Sequence, residues 1–82
     1  EENELMINVY PNPVKDVLNI QFDAFSEDLI IQLVSMNGQL VEAPILINGN
    51  GVILDVSKIA SGVYFLNISS NEVSQSVRVV KQ

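Results

Sequence analysis

Chemistry near neutral pH usually starts from a histidine or a cysteine, and this chain of 82 residues has neither. Without histidine the commonest general base and metal ligand is gone, and a Ser-His-Asp arrangement is impossible. Without cysteine there are no thiolate ligands and no disulfides. A serine beside a desolvated lysine remains as a nucleophile. Lys15, Lys58 and Lys81 all fall where solvent is expected, which disfavours that pairing. Asp23, Glu27 and Asp28 offer oxygen ligands for calcium, but their spacing does not fit the twelve-residue calcium loop, and a solvated acidic loop is the better reading. None of Gly38, Gly49, Gly51 and Gly62 opens a phosphate-binding loop. Asn48-Gly49-Asn50-Gly51 reads as a β-turn. Asn67-Ile68-Ser69 matches a glycosylation acceptor but lies inside a predicted strand. Phe25 and Phe65 are candidates for an exposed aromatic pair, with ordinary packing preferred. The sequence therefore predicts no enzyme, no cofactor and no metal.

Charge narrows the partners. Formal net charge is −6, which repels nucleic-acid backbones and anionic lipid surfaces. No apolar run approaches the ~20 residues of a membrane-spanning helix. Glu1, Glu2 and Glu4 are the opposite of a basic leader segment, so an exported form would carry its signal peptide upstream in a longer parent. Hydrophobic residues are 48% of the chain and charged residues 17%, too apolar a balance for a disordered tail.

The elements that must position any site are strands. Val, Ile and Leu dominate the apolar residues and suit pleated sheets. The predicted strands cover residues 5–9, 16–23, 29–35, 39–47, 52–56, 63–69 and 73–80. Alternation places Leu18, Ile20 and Phe22 on one face, as it does Leu29, Ile31 and Leu33, then Val52, Leu54 and Val56, then Tyr64, Leu66 and Ile68, and lastly Val73, Val77 and Val79, with Arg78 outward. Pro11 and Pro13 end the first strand, since neither can donate a backbone N–H. Asn37-Gly38 predicts a type I′ hairpin turn. Pro44 implies a bulge or an edge in the fourth strand. Residues 57–62 predict a short helical or 3₁₀ turn, with Ile59 as an apolar plug and Gly62 left-handed at its end. Seven short strands at this spacing predict an all-β, immunoglobulin-like antiparallel sandwich, with a small barrel as the rival. The chain is read as one domain, with a linker remnant and first strand over 1–9 and the body over 10–82.

Four stretches, in this order, carry a family resemblance. They are Tyr10-Pro11-Asn12-Pro13-Val14 with Asp16-Val17-Leu18-Asn19-Ile20; Val34-Ser35-Met36-Asn37-Gly38-Gln39-Leu40-Val41; Ile53-Leu54-Asp55-Val56-Ser57 with Ile59-Ala60-Ser61-Gly62-Val63-Tyr64-Phe65-Leu66; and Val77-Arg78-Val79-Val80-Lys81. Together they resemble the type A C-terminal sorting domains of the type IX (Por) secretion system over residues 10–81. Gln39 stands where the family usually has Lys, Arg78 where it has the first Lys of its ending, and Gln82 is a one-residue extension.

The resemblance implies a C-terminal domain of a Gram-negative bacterial protein that passes through the periplasm and is recognised by secretion machinery at the outer membrane. It also implies removal by a sortase, near residues 1–4 or upstream, with the cargo released or held at the cell surface. Carried over residue by residue, the motif positions Tyr10, Pro11, Asn12, Pro13, Gly38, Gly62, Tyr64, Arg78, Val79, Val80 and Lys81 become the candidate recognition residues. An exposed basic edge on the last strand, bearing Arg78 and Lys81, would add to a partner's sheet or to a second copy of this chain. The bland counterpart is that both cations merely guard that edge. Pro11-Asn12-Pro13 is equally a stiff structural corner or an epitope. The rival function is an immunoglobulin-like adhesion or carbohydrate-binding module.

Overall fold

The computed structural model describes residues 7–22, 29–49, 51–69 and 74–82. Those residues form eight strands: β1 (Ile7–Tyr10), β2 (Val17–Phe22), β3 (Ile30–Ser35), β4 (Leu40–Val41), β5 (Ile45–Asn48), β6 (Gly51–Asp55), β7 (Gly62–Ser69) and β8 (Ser74–Lys81). They make two four-stranded sheets, ordered β1-β2-β6-β5 and β4-β3-β7-β8, with every strand pair antiparallel. This is the immunoglobulin-type division of strands between two sheets, so the sandwich expected from the sequence is the one formed.

Period-two patterning explains the core. Leu18, Ile20, Phe22, Val52 and Leu54 line the inner face of one sheet, with Leu18 opposite Leu54 and Ile20 opposite Val52. Leu33, Tyr64, Leu66, Ile68 and Val79 line the other. Leu29, Ile31 and Val77 pack against this core from partly buried positions. Val73, the acidic loop at 23–28 and the connection at 70–72 lie outside the described residues, as do Leu5 and Asn50.

Three local expectations change. The predicted strand over 39–47 divides into β4 and β5, which belong to different sheets. Pro44 sits at the crossing; its carbonyl accepts the Asp55 N–H at 2.9 Å, but it has no N–H with which to continue β4. The Asn37-Gly38 hairpin is not type I′, because Asn37 keeps a negative φ. Gly38 N–H donates to Ser35 O at 3.0 Å and Ser35 N–H donates to Gln39 O at 2.8 Å, while Gly38 has φ 90°. That is a three-residue loop, a type I turn followed by a glycine bulge. Residues 57–61 form the short turn expected, closed in the 3₁₀ manner by Ile59 N–H donating to Val56 O at 3.3 Å, with Ile59 against the core; what changes is the glycine after it. Gly62, at φ 151°, opens β7 in an extended region of positive φ rather than in the left-handed helical region.

Candidate functional site: the flank joining residues 10–14 to the last strand

β1 and β8 are edge strands of different sheets, and residues 11–14 cross between them. Pro11 and Pro13 lack N–H groups, so backbone alone cannot run a regular ladder here. The Asn12 side chain replaces it. Its Nδ2 donates to Arg78 O at 2.8 Å, and its Oδ1 accepts the Val80 N–H at 3.0 Å. Two residues further on, Val14 N–H donates to Val80 O, and Gln82 N–H donates to Val14 O, both at 2.8 Å. Val14 and Lys81 form a parallel bridge. The Tyr10-Pro11 and Asn12-Pro13 peptide bonds are both cis. Val14 is fully buried in the shared core, a contribution of about 1.5–3 kcal/mol for such a side chain.

This geometry corrects two expectations about the tail. The outer edge of β8 is paired along its second half. Alternation turns the backbone groups of the even-numbered residues outward, and from Arg78 to Gln82 that edge is taken by residues 12–14. Lys81 does not stand in solvent; it is 8% exposed. It shares the inward parity of Val77 and Val79, so its stem lies against the interior while Nζ donates to Gln82 O at 3.1 Å. Arg78 is the exposed cation of the pair, on the outer face opposite Phe65. Lys15 and Lys58 are exposed as expected.

The candidate recognition residues therefore divide. Tyr10, Pro11, Asn12 and Pro13 gather beside Arg78, Val79, Val80 and Lys81, two segments far apart in sequence. Tyr10 is 44% exposed, and its carbonyl accepts a bond from Asn19 Nδ2 at 3.3 Å. Gly38 lies apart, in the β3–β4 loop. Gly62 and Tyr64 begin β7, where Tyr64 Oη donates to Ala60 O at 2.6 Å. A buried tyrosine at this corner, bonded four residues back, is the tyrosine corner of immunoglobulin-like sandwiches. Asp55 braces the same corner: its Oδ1 accepts from the Ser57 hydroxyl at 2.7 Å and the Ser57 N–H at 3.0 Å. Those bonds, with a smaller contribution from Lys58, hold its carboxyl below the usual range. Val14 is the residue that reasoning about recognition passed over. Its signal was present in the opening motif, as an apolar side chain directly after two prolines.

On the opposite flank β4 and β5 diverge around an open groove of about 650 Å³, lined by Leu33, Leu40, Val41, Pro44, Ile45 and Leu54 among others. Glu42 is its only charged lining residue among the described residues. Among the described residues no three acidic side chains converge as a metal site would require, and no helix is long and apolar enough to cross a membrane. The calcium idea at Asp23, Glu27 and Asp28 falls outside the described residues.

The described residues thus form an immunoglobulin-like sandwich whose opening corner is bonded to its closing strand, with a tyrosine corner between. The description "secretion system C-terminal sorting domain" matches residues 8–82, and the chain belongs to that family. It is a C-terminal sorting signal for type IX secretion. The match implies interaction with the type IX machinery and export to the cell surface or the medium. Domains of this kind are not typically catalytic, and the adhesion-module alternative is not favoured. The comparison with curated proteins gave no match.

Proposed function

We propose that this domain acts without catalysis of its own, as a folded handle that the secretion machinery grips on the flank formed by residues 10–14 and 78–82. The observation that carries this is the pair of Asn12 hydrogen bonds to Arg78 and Val80, which supports a single recognition surface built from the family's first and last motifs. The domain spans 10–82 together with its first strand, and the linker remnant before that strand joins it to cargo. The cargo crosses the periplasm before export, and a sortase cuts near residues 1–4 or upstream. A cysteine-free sandwich suits that route, because it folds without an oxidant.

The test is a reporter with its own leader fused to residues 1–82, expressed in a host that has the secretion system. The reporter should reach the medium or the surface. Deleting residues 77–82 should abolish export while the reporter stays folded and active inside the cell. Normal export of that truncation would refute the proposal.

Self-association through an edge falls to β5. It closes the outer side of its sheet, carries no charged residue, and exposes Leu46 at 63% and Ile47 at 61%.

A further inference from the structure

We propose that Asn12 is a positioning residue that makes the sorting signal conformational: its amide ties the opening corner to the closing strand, so the signal exists only when the chain is complete and folded. This rests on the sorting function above.

The argument begins with what a ladder needs. A segment that pairs with an edge strand must offer a donor and an acceptor at the right spacing. Pro11 and Pro13 remove two donors from this segment. A primary amide carries a carbonyl and N–H groups on one carbon, which makes it a stand-in for a peptide group. Asn12 uses both ends of its amide, donating to Arg78 O and accepting from Val80 N–H. Aspartate would keep the acceptor, lose the donor and set a carboxylate against the Arg78 carbonyl. Serine offers a single oxygen on a shorter side chain.

The partners are 66 and 68 residues apart, so the contact closes only after nearly the whole domain has assembled. It is also sensitive to the last residues. Of the four hydrogen bonds between residues 12–14 and the tail, three use groups of Val80 or Gln82. A chain that stops short of Val80 cannot make them. The tie therefore reports two properties together: that the end of the domain is present, and that the sandwich has closed.

The experiment compares three versions of the reporter fusion: the parent, Asn12→Asp, and Ile20→Val. Ile20 is a fully buried core residue that makes none of the tie's hydrogen bonds, so its variant controls for lost stability. Export of Asn12→Asp should fall about tenfold, the population cost of losing the donor bond to Arg78 O and setting a carboxylate against that carbonyl. Ile20→Val, with an equal or larger drop in thermal midpoint, should be exported as the parent is. Amide exchange at Val80 and Gln82 should quicken in Asn12→Asp and not in Ile20→Val. Export of Asn12→Asp at the parent level, or reduced no more than in Ile20→Val, would overturn the proposal. Retention of the parent fusion would instead sink the sorting reading on which it rests.

A second measurement does not depend on any variant folding. A synthetic peptide of residues 74–82 should fail to displace the folded domain from membranes bearing the secretion machinery. Displacement at concentrations similar to those of the folded domain would mean that the signal is linear and that Asn12 merely stabilises the fold.

Discussion

Tyr64 shows how one side chain serves both the core and a corner. Its ring is buried between the sheets while its hydroxyl reaches Ala60 O. Tyr64→Phe keeps the ring and leaves that carbonyl without its donor. The variant should lose about 1 kcal/mol, read as a lower denaturant midpoint with an unchanged slope. An unchanged midpoint would mean that water replaces the hydroxyl without loss. Asp55 and Ser57 work on the same corner from the other side. In sequence these residues carried a family motif, and Tyr64 stood among the candidate recognition residues. The hydrogen bonds give Tyr64, Asp55 and Ser57 a structural task first, whereas those of Asn12 join two segments that single-residue reasoning kept apart.

At the scale of the element, alternation was the readable signal. β2, β6 and β7 could be located with their buried faces because period-two burial is local and strong. Lys81 follows the same parity, and its charge hid it: a lysine in last place invites an assignment to solvent, while the alternation from Val77 through Val79 turns it inward. The β4–β5 break was half visible, since Pro44 marks where a strand must stop but not which sheet the chain joins next. The tie at residues 12–14 was not legible at all. It depends on which two strands become edges on the same side, a property of topology and not of any one stretch. The β3–β4 loop shows the same limit: Asn37-Gly38 announces a hairpin, while loop length is set by the register of Leu33 with Val41. Gly38, at φ 90° with open space around it, should be sensitive through its backbone alone. Gly38→Ala should cost about 1–2 kcal/mol in stability, and a thermal midpoint equal to the parent's would show that the loop relaxes to negative φ.

For the whole molecule, net charge and the β5 edge oppose each other. A charge of −6 pushes copies apart, while β5 ends its sheet among the described residues and is flanked by apolar side chains. Salt screens the first and leaves the second. Association measured by sedimentation should therefore rise with ionic strength and vanish in Leu46→Lys, which places a charge on that edge. Salt-independent behaviour, or association that survives the substitution, would remove β5 from that role.

The parallel run of residues 12–14 beside the last strand has a mechanical meaning. If cargo hauls on the chain from before Ile7 while a grip holds Gln82, the two parallel segments are dragged in opposite senses along their common axis. The hydrogen bonds joining them then bear the load side by side instead of opening one after another like a zip. A handle meant to be towed by its ends is thus fastened in the orientation that resists towing best.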